Sequence, residues 1–176
     1  IKREPRQFGE AAVLGNIVHA VLEDVVSNSA VLSIDEMKTK YEEHKQVLDP
    51  KSQISNTLIS VGNEIIEEFY DSNEGKLFDV FEKEMGFKFV IGNYLIIGFI
   101  DRVDIIGDSV HIVDYKTGKR EVAAKDVHSN LQLGIYALAA SYFFPDKEIT
   151  ASLHYLRTNR IKSHTYSQED LDLIKE

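Results

Sequence analysis

Gly98-Phe99-Ile100-Asp101-Arg102-Val103-Asp104-Ile105-Ile106-Gly107-Asp108-Ser109-Val110-His111-Ile112-Val113-Asp114-Tyr115-Lys116-Thr117-Gly118 reads as a β-hairpin that buries an aspartate on each strand. Gly107-Asp108 between two β-branched runs is a two-residue turn signal. With those residues as the loop, Ile106 faces Ser109, Ile105 faces Val110 and Asp101 falls opposite Asp114. A four-residue loop over 106–109 keeps this register, whereas a three-residue loop shifts it by one and parts the two acids. Side chains alternate along a strand, so Phe99, Asp101 and Val103 share one face. Ile112, Asp114 and Lys116 share the facing side of the partner strand. Two carboxylates and an ammonium therefore converge. Directly opposed like charges destabilise a sheet, so either one acid takes up a proton or a cation lies between them. A hard cation such as Mg²⁺ suits carboxylate and carbonyl oxygens. Lys116 beside it is placed to steady a nucleophilic water or a phosphate oxygen. The plainer alternative is an ordinary Lys–Asp pair on a half-exposed hairpin, which is worth little.

These residues, G-x-x-D-R-x-D followed by D-Y-K-T-G, resemble the PD-(D/E)xK nuclease superfamily. More closely, they look like the RecB/AddA-type nuclease domain at the C-terminus of superfamily-one helicases. The resemblance implies Asp101, Asp114 and Lys116 as the catalytic core, with the Tyr115 carbonyl as a further metal ligand. Asp104 has the opposite parity to Asp101 and is expected to point away. Upstream, Leu14-Gly15-Asn16-Ile17-Val18-His19-Ala20-Val21-Leu22-Glu23 is similar to the family's G-x-x-x-H helix and nominates His19 as a ligand. Histidine suits Mn²⁺ better than Mg²⁺. Without the resemblance, His19 is one of six histidines and an ordinary member of an amphipathic helix. Downstream, Gln132 and Tyr136 form Q-x-x-x-Y, one helical turn apart. The family uses this pair to hold the DNA strand. Alone the pair is a weak signal, since Leu131, Ile135 and Leu138 mark the same stretch as a plain amphipathic helix.

The 176 residues, 43% hydrophobic and 28% charged, describe one globular domain with room for a core. No apolar run reaches bilayer length and no secretory signal opens the chain, so a cytoplasmic setting without membrane contact is expected. The chain opens on Ile1, not methionine, and is expected to be a domain excised from a longer helicase-nuclease or a processed product. It has no cysteine, which excludes disulfides, thiolate zinc sites and cysteine nucleophiles. That also departs from the iron–sulfur branch of the family, so the expected cofactor is Mg²⁺ or Mn²⁺ with no cluster.

The net charge of −9 argues against a free-standing, tight DNA binder. The acidity gathers in Glu42, Glu43, Glu64, Glu67, Glu68, Asp71, Glu74, Asp79, Glu82 and Glu84, read as lying away from the motifs. Arg102, Lys116, Lys119, Arg120 and Lys125 form a basic group near them, and Arg157, Arg160 and Lys162 another near the C-terminus. Arg102, Thr117, Lys119, Arg120, Gln132 and Tyr136 are the expected DNA contacts. A small basic mouth on an acidic body suits DNA, as a single strand or duplex end, fed by a helicase motor in the same chain or complex.

Helices are predicted at 9–27, from Ser33 to about 47, at 51–70, at 126–143 and after Ser167. Strands are predicted at 77–84, 87–91, 94–106, 109–116, 149–157 and 161–166, with Gly92-Asn93 as a turn. N-terminal helices over about 9–70 precede a sheet and catalytic core over about 77–166. The fold class is α/β: a restriction-endonuclease-like three-layer α/β/α sandwich with a central mixed sheet and an N-terminal helical segment. The expected function is a metal-dependent, exonuclease-like deoxyribonuclease of little sequence specificity, acting in double-strand-break repair. A catalytically silent DNA-end-binding or scaffold domain is the alternative; survival of both acids and the lysine weighs against it. A two-carboxylate glycosidase ranks last, since it needs no lysine and the chain has no tryptophan platform.

Overall fold

A computed structural model describes residues 9–26 and 32–175; residue 27 of the expected first helix lies outside them. The hairpin forms in the anticipated register. Strand β2 (Tyr94–Ile106) runs antiparallel to β3 (Ser109–Lys116), with Ile106 opposite Ser109 and Gly107 at φ 58° in the turn. The ladder extends to Arg102 opposite Val113, which leaves Asp101 level with Asp114 one step beyond it.

The two strands expected at 77–84 and 87–91 are one. Strand β1 (Val80–Ile91) pairs with β2 through Gly86 opposite Phe99 and Ile91 opposite Tyr94. The irregularity is absorbed without a break, by a register shift between Val80 and Glu82 and by a left-handed φ of 48° at Glu84. Gly86 continues the strand under the Phe99 ring, where a Cβ would come within 3.3 Å of the ring edge.

Strand β3 then pairs in parallel with β4 (Glu148–Tyr155), and β5 (Arg160–Tyr166) closes the far edge antiparallel. The order β1-β2-β3-β4-β5 is a mixed sheet. The parallel pair requires a crossover, supplied by a 3₁₀ turn at Ala124–Asp126 and α4 (Leu131–Phe143). Helix α4 starts at 131 rather than 126 because the Asn130 side chain accepts the Leu133 amide and caps it there.

Helices α1 (Glu10–Val25), α2 (Ile34–Leu48) and α3 (Asn56–Asn73) cover one face of the sheet. Ser33 and Glu36 cap α2 reciprocally. Helix α3 begins at 56, not 51, because the Asp49 carboxylate accepts the amides of Gln53 (2.7 Å) and Ile54 (3.0 Å) and folds that stretch into a turn. Leu14, Ile17, Ile65, Phe69 and Tyr115 pack this layer. Helices α4 and α5 (Gln168–Ile174) cover the other face, where Leu133 of α4 joins the core with Val103, Ile112 and Leu153 of the sheet. Ser167 caps α5 as expected. The architecture is the predicted three-layer sandwich. No helix among the described residues is long and apolar enough to cross a membrane.

Gly62 sits where α3 crosses the first two helices, and a Cβ there would collide with the buried Tyr41 hydroxyl and come 2.9 Å from Leu14. Gly62→Ala is expected to cost about 1–3 kcal/mol by overpacking. Urea unfolding checks it; a change under about 0.5 kcal/mol would mean that the crossing is slack.

Candidate active site

The site forms where β2 and β3 part. Beyond Arg102–Val113 the backbone ladder stops. The Tyr115 amide donates instead to Asp101 Oδ2 at 2.7 Å, so a side-chain carboxylate takes the place of a strand carbonyl. Asp114 is 2% exposed and stays paired with Leu153 of β4. Lys116 Nζ lies 2.6 Å from Asp114 Oδ2 and donates to Gln132 Oε1 at 2.7 Å. Gln132 Nε2 donates to the Tyr136 hydroxyl at 2.8 Å. The Q-x-x-x-Y pair of α4 thus holds the lysine from one side of the sheet.

From the other side α1 brings His19. Its Nε2–H donates to the Tyr115 carbonyl at 2.9 Å, and its Nδ1 lies 3.4 Å from Asp101 Oδ1. The carbonyl expected to face a cation therefore faces the imidazole. Thr117 accepts from Arg157 Nε at 2.6 Å through its own carbonyl, and Lys119 and Arg120 stand exposed in the loop after β3.

Two placements differ from the sequence reading. Arg102, expected at the DNA, is buried. Its guanidinium forks onto Asp104 (Nε to Oδ1, 2.7 Å), donates to the Tyr115 hydroxyl at 3.1 Å and lies 4.3 Å over the Phe78 ring. These internal partners engage its donors, and Asp104 points away from the site as its parity demands. Glu84, read as remote surface acidity, stands in the site instead. Ligand atoms of His19, Glu84 and Asp101 all lie within 4.8 Å of one another. About 10 Å³ remains among these side chains, room for one water-sized sphere.

Burial pushes the Asp114 carboxyl up to about 6, and Asp101 adds to this against the opposing Lys116 charge. For His19, burial alone would lower the pKa, but the Asp101 hydrogen bond and the charges of Asp101 and Asp114 hold it above the usual value. Desolvation, then Asp101 and Glu23, raise Glu84. Asp114 Oδ2 is buried with no aligned hydrogen-bond partner among the described residues, despite the nearby ammonium. Two carboxylates and an imidazole with ligand atoms within 4.8 Å of one another, His19, Glu84 and Asp101, fit a divalent cation. The raised Asp114 pKa has a definite sign: the folded chain holds that proton more tightly than the unfolded one. Its contribution to metal-free stability should therefore fall as pH rises from about 4 through about 6. Melting in EDTA across that window checks this, and loss of the trend in Asp114→Asn assigns it.

The model of the PD-(D/E)XK nuclease superfamily matches residues 1–176. Among solved structures, a protein described as "Putative exonuclease" from Eubacterium rectale is similar over 98% of this chain, with a TM-score of 0.56 and 13% identity. The chain spans 64% of that protein's length, and at such identity the likeness speaks to the fold alone. The structure of SSO0001 aligns with 93% of this chain and 81% of its own at 13% identity, with a TM-score of 0.38. No curated protein matches the chain in sequence.

Proposed function

This chain belongs to the PD-(D/E)XK nuclease superfamily, and from that premise we propose that it is a metal-dependent deoxyribonuclease of little sequence specificity. The observation that carries the reading is the Lys116–Asp114 pair at 2.6 Å beside the His19–Asp101 pair at 3.4 Å, at one end of the sheet. Asp101, Asp114, the Tyr115 carbonyl and His19 would hold Mg²⁺ or Mn²⁺. When bound, such an ion supplies a water of lowered pKa and offsets charge growing on the scissile phosphate. Lys116 keeps a positive charge at the reacting phosphate or orients the attacking water. Gln132 fixes the Lys116 ammonium, and Tyr136 fixes Gln132. Thr117, Lys119 and Arg120 follow β3 directly and would meet the strand's phosphates, which position DNA without reading its sequence.

The finer proposal is an exonuclease domain of a RecB/AddA-like helicase-nuclease, processing DNA ends in double-strand-break repair in the cytoplasm. The motif order supports it, as does a sequence without cysteines for an iron–sulfur cluster. The Eubacterium rectale protein described as a putative exonuclease shares the fold. The 176 residues then form a single nuclease domain. The test is cleavage of end-labelled single- and double-stranded DNA in Mg²⁺, Mn²⁺ or EDTA. Metal-dependent shortening from an end supports the reading. Binding of DNA ends without cleavage in either metal overturns it in favour of a silent end-binding domain.

A further inference from the structure

The hairpin made by β1 and β2 points to a residue that no motif named. The Gly92-Asn93 turn sets Ile91 opposite Tyr94, and the same register runs to Met85 opposite Ile100 and Lys83 opposite Arg102. Glu84 is therefore level with Asp101, yet these two are absent from the ladder on either side of which pairing continues. The strands open where two acids meet. Glu84 adopts a left-handed backbone at φ 48°, a conformation that a side chain other than glycine's rarely takes. Its carboxylate reaches the same small space as His19 and Asp101, with ligand atoms within 4.8 Å.

Opposed carboxylates in a sheet repel. No arginine or lysine forms an ion pair with Glu84 among the described residues: Lys83, its neighbour, donates to the Glu23 carbonyl instead. Lys116, the ammonium of the site, is committed to Asp114 Oδ2 at 2.6 Å and to Gln132, and forms no ion pair with Glu84. We infer that Glu84 is a ligand of the divalent cation, joining His19 and Asp101 across the opened β1–β2 ladder. The inference rests on the metal-dependent reading above and extends it to β1. An imidazole nitrogen with two carboxylates suits Mn²⁺ better than Mg²⁺, whose preferred partners are all oxygen.

The experiment is Mn²⁺ binding to the metal-free chain by calorimetry, with the paramagnetic resonance of free Mn²⁺ as a check. Wild type is set beside Glu84→Gln and Glu82→Gln, the latter a change on the same strand outside the cluster. Glu84→Gln should weaken Mn²⁺ binding by at least about tenfold, the size of loss that supporting residues around a metal already produce. Glu82→Gln should bind as wild type does. Metal-free Glu84→Gln should melt no lower than wild type, because the change removes repulsion; a purely structural Glu84 would lower it. Wild-type affinity in Glu84→Gln, or equal loss in both variants, overturns the assignment and leaves the nuclease reading standing. Failure of wild type to bind Mn²⁺ at all overturns both. If Glu84→Gln does not fold, Glu84→Ala carries the test, and unchanged binding there overturns the assignment.

Discussion

Asp114→Asn is expected to stop DNA cleavage, with a loss of about 10³-fold or more, while the variant melts as high as wild type in EDTA at pH 7.5. The two halves of this result have one cause. Asp114 is almost fully buried on the middle strand, and burial makes its charged form unfavourable. The amide keeps the shape and removes the charge, so folding loses nothing. The site loses the carboxylate that a cation needs and the anion beside Lys116. Lys116→Ala should be nearly as severe, at roughly 10²–10³-fold, the usual toll for removing a preorganised charge from a developing oxyanion. Lys116→Arg should not restore it, because a planar fork cannot occupy the place of a point charge held by Gln132. Initial rates on end-labelled DNA, with circular dichroism as the folding control, decide both. Activity that survives both changes would move the chemistry elsewhere.

The largest effect on stability should come from a buried ion pair beside the site. Arg102→Ala is expected to cost about 3–5 kcal/mol, because it strands the Asp104 carboxylate without a partner in the protein interior. For a chain of this size each kcal/mol moves the melting temperature by about 2–4 °C, so a fall of roughly 10 °C should be seen. Asp104→Ala should do the same. The double variant should lose less than the sum, since each single change already breaks the pair. The slope of DNA affinity against salt, measured at a temperature where Arg102→Ala is folded, should match wild type. A shallower slope would mean that Arg102 neutralises a phosphate after all.

The burial of Arg102 follows from its place on the strand. The alternation that sends Asp104 away from Asp101 sends Arg102 with it, two residues earlier on the same strand. Charge alone made it look like part of a basic mouth. Glu84 was equally within reach. The turn at Gly92-Asn93 fixes the β1–β2 register as firmly as Gly107-Asp108 fixes that of β2–β3, and carried back it ends on Asp101. Gly86 looks like a strand break in the sequence, but β1 runs through it. The Asp101–Asp114 level, the capping of α2 and α5 and the crossover after β3 were legible because local spacing determines them. The approach of α1 to Asp101 rested on the family motif alone, since only packing of the helical layer onto the sheet brings His19 there. The start of α3 was hidden too, because it depends on a carboxylate, Asp49, bonding amides four and five residues on.

Tyr115 ties these parts together: its amide binds Asp101, its carbonyl His19 and its hydroxyl Arg102. Because the amide proton rests on a carboxylate rather than on a neighbouring strand, it is a natural nuclear magnetic resonance probe. A charged acceptor deshields such a proton more than a neutral carbonyl does. Any ligand that draws charge from Asp101 will register first at this one backbone signal, before the fold around it changes.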